Sequence, residues 1–518
     1  MTGKNAEDRP GRWMTRPQRA FAAMMLATAL VLVCLAAPAS TAAAGTSLAG
    51  TGSSFAAPAV TAWTQQVSQR PYSLSVQYTP TNSGDGRYEF TEATVDYAVS
   101  DTGYVNSSTG QTPPSFPFAF IPITAAGVAF MYNIPGLTQT LQLTSYTACL
   151  LLTGQITNWD NPALHLNGAN SGVTLPNLPV VPVTESDPAG TNYVLEEYCI
   201  DEQPGVWAQY VKNESGSPPP SGVAISNTPG SNWEAPGNGY DEQSTSAVAS
   251  NVANTAGSIG PVQDQYAIDS GFTGKNPAQA VAAVQNASGD FTLPTPLDVA
   301  SALAYATQQS NGTHVLDFNG VGPHVYNPST YSYLLTPTTG WSAAKGAVMS
   351  AFVNYVLTLG QKMAPSIQYA SLGLSLERYG IDTVTADVPG AVAPTAAEDQ
   401  GYSCGDFTPA EVQAGATAPT CGVTNGAAPP PPPGAPSEAT TNGNTGSKST
   451  TSISSGIGAT GGGSSGGVDP AVSLTGVPGL AFTGGNPLPW LVVGALLAVV
   501  GWIGRRRLAR IKPVDESQ

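Results

Sequence analysis

The stretch VDYAVSD, residues 95–101, is a short run of β-branched and apolar residues that ends in an acid. Its first five residues predict a β-strand, because β-branched and aromatic side chains favour extended backbone. Similar runs predict further strands at residues 73–78, 127–132 and 178–183. Longer patterns predict helices at residues 58–68 and 343–359. This alternation of strands and helices indicates an α/β fold with open sheets.

Three segments share one design, in which a strand leads through a tight turn rich in small and hydroxyl residues into a helix. They are GTGSSFAAP (50–58), TNSGDG (81–86) and DPAGT (187–191). A helix start has unpaired backbone N–H groups and a partial positive charge, so hydroxyls at such a turn help to enclose an anion. Each turn alone is also what an ordinary helix cap looks like. Only the three turns together, in this order, point beyond capping.

The charge of the chain argues against several classes of partner. Residues 45–487 contain eight Lys or Arg against 30 Asp or Glu, a formal charge of 8 − 30 = −22. Nucleic acids and acidic polymers would find no basic surface there, so neither is expected as a partner. Solubility in a salty or acidic exterior is sufficient reason for the acidity.

The sequence does not indicate an enzyme. Residues 45–385, which contain the scattered histidines His165, His314 and His324, have no Gly-x-Ser-x-Gly nucleophile turn and no close His and Cys pair. We therefore predict no catalytic residue, no metal and no cofactor.

The N-terminal end carries an export signal. Arginines precede an apolar run over residues 20–37, and small residues at 42–44 offer a cleavage site. Residues 1–44 are therefore predicted to be a secretory signal peptide, with a permanent N-terminal anchor as the alternative.

The C-terminal end, residues 480–518, combines the pentapeptide LAFTG, an apolar stretch at 488–504 and a basic tail. The stretch is just long enough to be a transmembrane helix, and the basic residues place the C-terminus inside. This order resembles a Gram-positive cell-wall sorting signal, in which a sortase would cut between Thr483 and Gly484. A simple membrane anchor is the alternative. Either anchor would hold the protein on the extracellular face of the cell, at the membrane or covalently on the wall.

Between these ends the composition divides the chain into a head and a stalk. Residues 425–479 are rich in Pro, Gly, Ser and Thr, and are predicted to be a disordered stalk. The folded head comprises residues 45–385, and a cysteine-containing appendix follows at 386–424.

Four cysteines remain after export, and an even number in an exported chain favours two disulfides. Three pairings are open to four cysteines. The most local pairing joins Cys149 to Cys199 and Cys404 to Cys421, and we expect this one.

Several motifs, taken in order, resemble the phosphate-binding receptors of phosphate ABC transporters, the PstS family. GTGSSFAAP is similar to that family's opening loop, and VQY (76–78) followed by Ser83 to its second loop. VDYAVSD is similar to its VDFGASD strand end. Further matches are MYNIPG (131–136), TGQITNWD (153–160), GSIG (257–260) and YASL (369–372).

The resemblance runs through most of the head and implies a two-lobed, type 2 periplasmic-binding-protein-like fold. Lobe I would take residues 47–125 and 325–385, and lobe II residues 126–324. In such a fold the lobes close on a small ligand by a hinge motion, and no chemistry follows.

The resemblance also implies roles for residues of the first two loops. Ser54 and Phe55 would donate a hydroxyl and backbone N–H groups from the first loop, and Ser83 would donate from the second. Asp101 would accept a hydrogen bond from a protonated phosphate oxygen, which is how such a site rejects fully ionised sulfate.

The third loop departs from the family pattern Arg-x-Asp-Gly-Ser-Gly-Thr. Gly190 and Thr191 are retained, but Glu185 stands in place of the arginine and Ala189 in place of the serine. At about 5 Å and an effective dielectric constant of about 20, an ionised Glu185 opposes each unit of ligand charge by roughly 3 kcal/mol. The attraction of the arginine is lost as well.

Arg87, four residues after Ser83, is a candidate to replace the lost positive charge, with a surface position on its helix as the alternative.

The resemblance and the altered third loop leave two functions open. The first is capture of phosphate or a related small oxyanion for an ABC permease. The second is a wall-displayed interaction or sensing module of the same fold, in which Glu185 and Asp101 favour a different ligand or share a proton.

Overall fold

The computed structural model describes residues 45–104, 112–214, 225–237, 239–395 and 406–419. The strands are β1 (Ser47–Gly52), β2 (Ser75–Pro80), β3 (Tyr97–Ser100), β4 (Phe118–Asn133), β5 (Gln142–Leu143), β6 (Val181–Glu185), β7 (Tyr240–Glu242), β8 (Ser258–Gln263), β9 (Gln279–Val281), β10 (Ala283–Gln285), β11 (Phe291–Thr292), β12 (Thr307–Gln308), β13 (His314–Val315) and β14 (Ser329–Pro337).

The α-helices are α1 (Ala57–Ser68), α2 (Ser83–Thr91), α3 (Ser145–Leu152), α4 (Gly190–Glu202), α5 (Pro204–Glu214), α6 (Thr245–Asn254), α7 (Asp264–Asp269), α8 (Pro296–Leu303), α9 (Ala343–Leu357), α10 (Leu359–Met363), α11 (Leu374–Asp387) and α12 (Pro409–Gln413). Short 3-10 helices lie at Pro162–Gly168 and Ala364–Ile367. In the described ranges no helix is both long and apolar enough to cross a bilayer.

A single large sheet organises these elements, in the order β2-β1-β3-β14-β4-β8-β6-β7, with β9 also paired to β4. Strands β1, β2 and β3 are parallel, as are β6, β7 and β8. The long strands β4 and β14 are antiparallel to each other and separate these two parallel sets. The alternation of strands and helices thus gives the expected α/β fold.

Strand β4 joins the two lobes. Its first part, to Gly127, pairs with β14, and its second part, from Val128, pairs with β8. One strand therefore takes part in both halves of the sheet. The segments after β1, β2, β3 and β6 carry the predicted site residues, so the site depends on how these strand ends approach one another.

The predicted strand at residues 178–183 is observed later, at Val181–Glu185, between β8 and β7. Pro182 pairs with Ile259 of β8, whereas pairing with β7 begins at Val183. The proline therefore lies near the strand start, where its missing N–H is not needed by a second neighbour.

The Cys149–Cys199 disulfide is present and links α3 to α4. Cys404 and Cys421 lie outside the described residues. So do the predicted signal peptide, the stalk, the Thr483–Gly484 bond and the apolar stretch at 488–504. Residues 406–419 of the predicted appendix are described and contain the short helix α12.

Candidate functional site

The centre of the candidate site is Asp101, which follows β3 and is 3 % exposed. Its carboxyl oxygens accept hydrogen bonds from three serine hydroxyls. Ser53 donates at 2.7 and 2.9 Å, Ser83 at 2.9 Å and Ser332 at 2.6 Å. The acid is thus held by the first loop, the second loop and strand β14 at once.

The first loop reaches Asp101 because β1 ends at Gly52, a position that only glycine can occupy. Gly52 has φ +131°, and a Cβ there would lie 2.0 Å from the carbonyl oxygen of Val99. The next residue, Ser53, donates its N–H to that same carbonyl at 2.8 Å. Its hydroxyl also accepts from the N–H of Ala56 at 2.9 Å, at the start of α1.

The second loop is fixed by a helix cap. Asn82 caps α2 and accepts from the N–H of Asp85 at 2.7 Å. Ser83, the first residue of α2, donates to the Asp101 carboxyl and accepts from the N–H of Asp101 at 3.1 Å. The second loop thus places Ser83 directly beside Asp101.

The third loop lies directly against the first two. A Cβ on Gly190 would come within 2.6 Å of Ser83 Oγ and 2.7 Å of Asp101 Oδ2. The N–H of Gly84 donates to the carbonyl of Pro188 at 2.8 Å. The start of α4 thus packs directly against Asp101.

Glu185, at the end of β6, points into this closed cleft and is fully buried. The Ser54 hydroxyl donates to its Oε1 at 3.0 Å, and the Thr245 hydroxyl lies 3.4 Å from both carboxyl oxygens. Thr245 is the first residue of α6, so a further helix start adds its partial positive charge here.

The remaining predicted residues of the loops are also buried. Thr191 lies in the first turn of α4, and Ala189 precedes that helix and donates its N–H to the Ser231 carbonyl at 3.1 Å. Phe55 packs its ring in the core, while its carbonyl accepts from the Tyr369 hydroxyl at 2.6 Å. These residues shape the loops around the cleft.

Arg87 is fully buried rather than on the surface of α2. Its Nη1 donates to Ser100 Oγ at 2.6 Å and to Thr102 Oγ1 at 2.7 Å, and its guanidinium lies 5.9 Å from the ring centroid of Tyr104. These partners flank Asp101 in the chain. Arg87 therefore supplies positive charge beside Asp101, from inside the first lobe.

The pKa values of both acids of the cleft are raised above their usual range. Burial raises the pKa of Asp101, against the lowering effect of the serine hydrogen bonds and of Arg87. Burial raises the pKa of Glu185 to about 7, with Asp187 and Asp101 adding to the increase and the hydroxyls of Ser54 and Thr245 opposing it. Desolvation prevails because a buried charge loses its hydration.

Four further residues at the site were not predicted. Ser53 precedes the predicted Ser54 in the first loop, and it is Ser53 that donates to Asp101. Ser332 belongs to β14, far along the chain, and no local motif marks it. Thr245 follows a serine N-cap after a strand, a pattern that resembles the other three turns and could have indicated it. Tyr266 donates its hydroxyl to the Ser54 carbonyl at 2.6 Å, and no sequence pattern marks that contact.

Hydroxyls, helix starts and two buried acids make up the cleft, an arrangement suited to holding a small polar ligand by hydrogen bonds. In the described parts of the chain, no group of three or more His, Cys, Asp or Glu side chains could hold a metal ion.

Comparison with known proteins gives a family for most of the head. The model of the PBP superfamily domain matches residues 37–358. The phosphate-binding protein PstS of Xylella fastidiosa (strain Temecula1) is 26% identical over 328 residues, covering 62% of this chain and 80% of that protein. The phosphate-binding protein PstS 2 of Mycobacterium tuberculosis (strain H37Rv) is 31% identical over 140 residues, covering 26% and 37%.

Among solved structures, that of a DING protein matches with a TM-score of 0.50 and 14% identity, covering 67% of this chain and all of that one. At this identity the likeness concerns the fold, and it agrees with the two-lobed arrangement around β4.

Proposed function

Because the chain belongs to the PBP superfamily, we propose that it is a solute-binding protein that encloses phosphate or a related small oxyanion between its two lobes. The observation that carries the proposal is the convergence of Ser53, Ser83 and Ser332 on Asp101. The start of α4 lies opposite them, at Gly190. The relatives named as phosphate-binding proteins support the same ligand class.

The arrangement suggests how a protonated oxyanion is held. When the lobes part, Asp101 and its three serine hydroxyls stay together in lobe I, and the hydroxyls turn to the oxygens of a ligand that enters. Asp101 then accepts the hydrogen bond of a P–OH group, and the starts of α2 and α4 offer backbone N–H groups. Arg87 stays beside Asp101 and favours its ionised form, which is the form that accepts.

The proposal includes the cellular setting. The protein is tethered outside the cell through its C-terminal end, by a membrane span at 488–504 or by sortase cleavage between Thr483 and Gly484, and delivers its ligand to an ABC permease. Lobe I takes residues 47–125 and 325–385, lobe II takes residues 126–324, and β4 and β14 form the hinge. Support comes from the sequence patterns at both ends and from the strand that both lobes share.

A second candidate function is a displayed interaction or sensing module that has lost phosphate binding. The observation that favours it is the fully buried carboxyl of Glu185, beside Ser54 and Thr245, in the third loop of the cleft. Genes for importer permeases and an ATPase beside this gene favour transport, whereas neighbouring sortase or adhesin genes favour display.

Isothermal titration of the purified protein with inorganic phosphate at pH 6 tests the proposal. We expect saturable heat from phosphate and much weaker binding of sulfate, because Asp101 requires a protonated oxygen. Asp101→Asn should alter this preference for phosphate. The matched control is Asp96→Asn, since Asp96 lies five residues earlier, outside the cleft, and pairs with Lys345. Absence of heat at millimolar phosphate would refute the receptor function.

A further inference from the structure

The carboxyl of Glu185 stands where the family pattern has a cation and so opposes an anion, and its surroundings show how the conflict is resolved. It is fully buried, and the hydrogen-bond donors on its oxygens are neutral hydroxyls, those of Ser54 and Thr245. Neutral hydroxyls can serve a carboxylate as donors or a carboxylic acid as acceptors. The site therefore accommodates either protonation state without rearrangement of the chain.

The charged and titratable groups around Glu185 favour its neutral form. Asp187 follows it in the third loop, and Asp101 lies across the cleft, and both raise its pKa. Glu242 is its register partner on β7, and the Tyr266 hydroxyl approaches from α7 at the Ser54 carbonyl. Arg87 is bonded to Ser100 and Thr102, the two neighbours of Asp101 in the chain.

An anionic ligand makes the ionised form still less favourable. The pKa of Glu185 is already about 7 without a ligand, and a negative charge placed a few Å away raises it further. A neutral Glu185 would offer an O–H donor to a ligand oxygen. The third loop would then regain one of the hydrogen-bond donors that an arginine at this position supplies.

We propose that Glu185 binds the ligand as a neutral carboxylic acid, so that each oxyanion captured is accompanied by one proton on Glu185. This inference rests on the proposed function. The proton comes from the solvent, the Glu185 O–H bond persists in the complex, and no bond in the ligand is made or broken. Asp101 and Glu185 thus divide two roles, with Asp101 accepting from the ligand and Glu185 donating to it.

The test compares the wild type with Glu185→Gln, which keeps the shape and the donor but cannot ionise. Phosphate affinity is measured by isothermal titration between pH 6 and 8.5, in pairs of buffers with different ionisation enthalpies, which gives the protons taken up. Phosphate's own ionisation affects both proteins equally. The control variant is Glu92→Gln, since Glu92 is an exposed acid at the end of α2.

With the pKa of Glu185 near 7, the wild type should lose about 30-fold more affinity than Glu185→Gln between pH 6 and 8.5. It should also take up about one more proton per phosphate at pH 8. Glu92→Gln should follow the wild type. The wild-type proton count is a readout that needs no variant, should Glu185→Gln fold poorly.

Each of the other possible outcomes overturns this inference. Parallel pH profiles and equal proton uptake in the wild type and Glu185→Gln would overturn this inference and leave the receptor function standing. A folded Glu185→Gln that binds no phosphate at a pH where the wild type binds would overturn it too, since the ionised carboxylate would then be required. No binding by any of the proteins at any pH would refute the receptor function, and this inference with it.

Discussion

Glu185 Oε1 lies 3.0 Å from Ser54 Oγ, and this hydrogen bond joins two loops that are 131 residues apart in sequence. The carboxyl of the third loop is thus bound by the hydroxyl that the family pattern assigns to the ligand. Lobe closure without a ligand is stabilised by this contact and by the hydrogen bond from the Gly84 N–H to the Pro188 carbonyl. A ligand must therefore replace protein–protein hydrogen bonds with its own.

The first prediction concerns stability without a ligand. Because the pKa of Glu185 is raised from 4.5 to about 7, the unfolded chain releases this proton at lower pH than the folded protein does. Stability should fall as pH rises from 4.5 to 7, by up to about 3 kcal/mol from this residue. When urea unfolding is measured from pH 4.5 to 7, the free energy of unfolding of Glu185→Gln should rise relative to that of the wild type. A difference independent of pH would contradict it.

The second prediction restores the family's cation. Glu185→Arg removes a repulsion and adds an attraction, each about 3 kcal/mol per unit of ligand charge at about 5 Å and an effective dielectric constant of about 20. Phosphate affinity at pH 8 should increase at least tenfold over the wild type, as measured by isothermal titration. Glu185→Gln removes the repulsion without adding the attraction, so its phosphate affinity should lie between those of the wild type and Glu185→Arg. Unchanged affinity in Glu185→Arg would mean that this position does not face the ligand.

The third prediction concerns the close approach of α4 to Asp101. Gly190→Ala places a Cβ within 2.7 Å of Ser83 Oγ and Asp101 Oδ2, so the closed lobes must shift. We expect a loss of about 1–3 kcal/mol in the free energy of unfolding. Gly205→Ala is the matched control, because a Cβ there has open space and alanine favours a helix. Equal stability of the two variants would disprove the contact.

The fourth prediction concerns the disulfide between α3 and α4. Cys149 and Cys199 are 50 residues apart, and a cross-link over such a loop stabilises by about 4 kcal/mol in the chain-entropy model. The double substitution to alanine should lower the free energy of unfolding by this order in non-reducing buffer. Dithiothreitol should destabilise the wild type more than the variant, by about the same amount. Equal sensitivity of both to dithiothreitol would count against a Cys149–Cys199 bridge.

Local patterns predicted much of the fold. The helix expected at residues 343–359 is observed as Ala343–Leu357, and the strand expected at 73–78 as Ser75–Pro80. The strand expected at 127–132 is only part of β4, which begins at Phe118. The pairing of β4 with β14, distant in sequence, extends it through Pro122. A short stretch of sequence around β4 does not contain β14, so the full length of β4 could not be predicted from it.

The site residues also divide into those that a local sequence motif predicted and those that it did not. Ser83 and Asp101 were predicted because each lies in a short motif at the end of a strand. Ser332 and Tyr266 were not, because they reach the cleft from elements that pack against it only in the folded chain. The burial of Arg87 was also not predicted, since its partners Ser100 and Thr102 belong to another element.

A crystal structure of the protein grown with phosphate at pH 6 tests the central claim most directly. The account predicts one phosphate between the lobes, with Ser83 Oγ turned from Asp101 to a ligand oxygen, Asp101 accepting from a P–OH group, and Glu185 within hydrogen-bond distance. A phosphate-free cleft, with Ser53 and Ser83 still bonded to Asp101 at saturating phosphate, would contradict it.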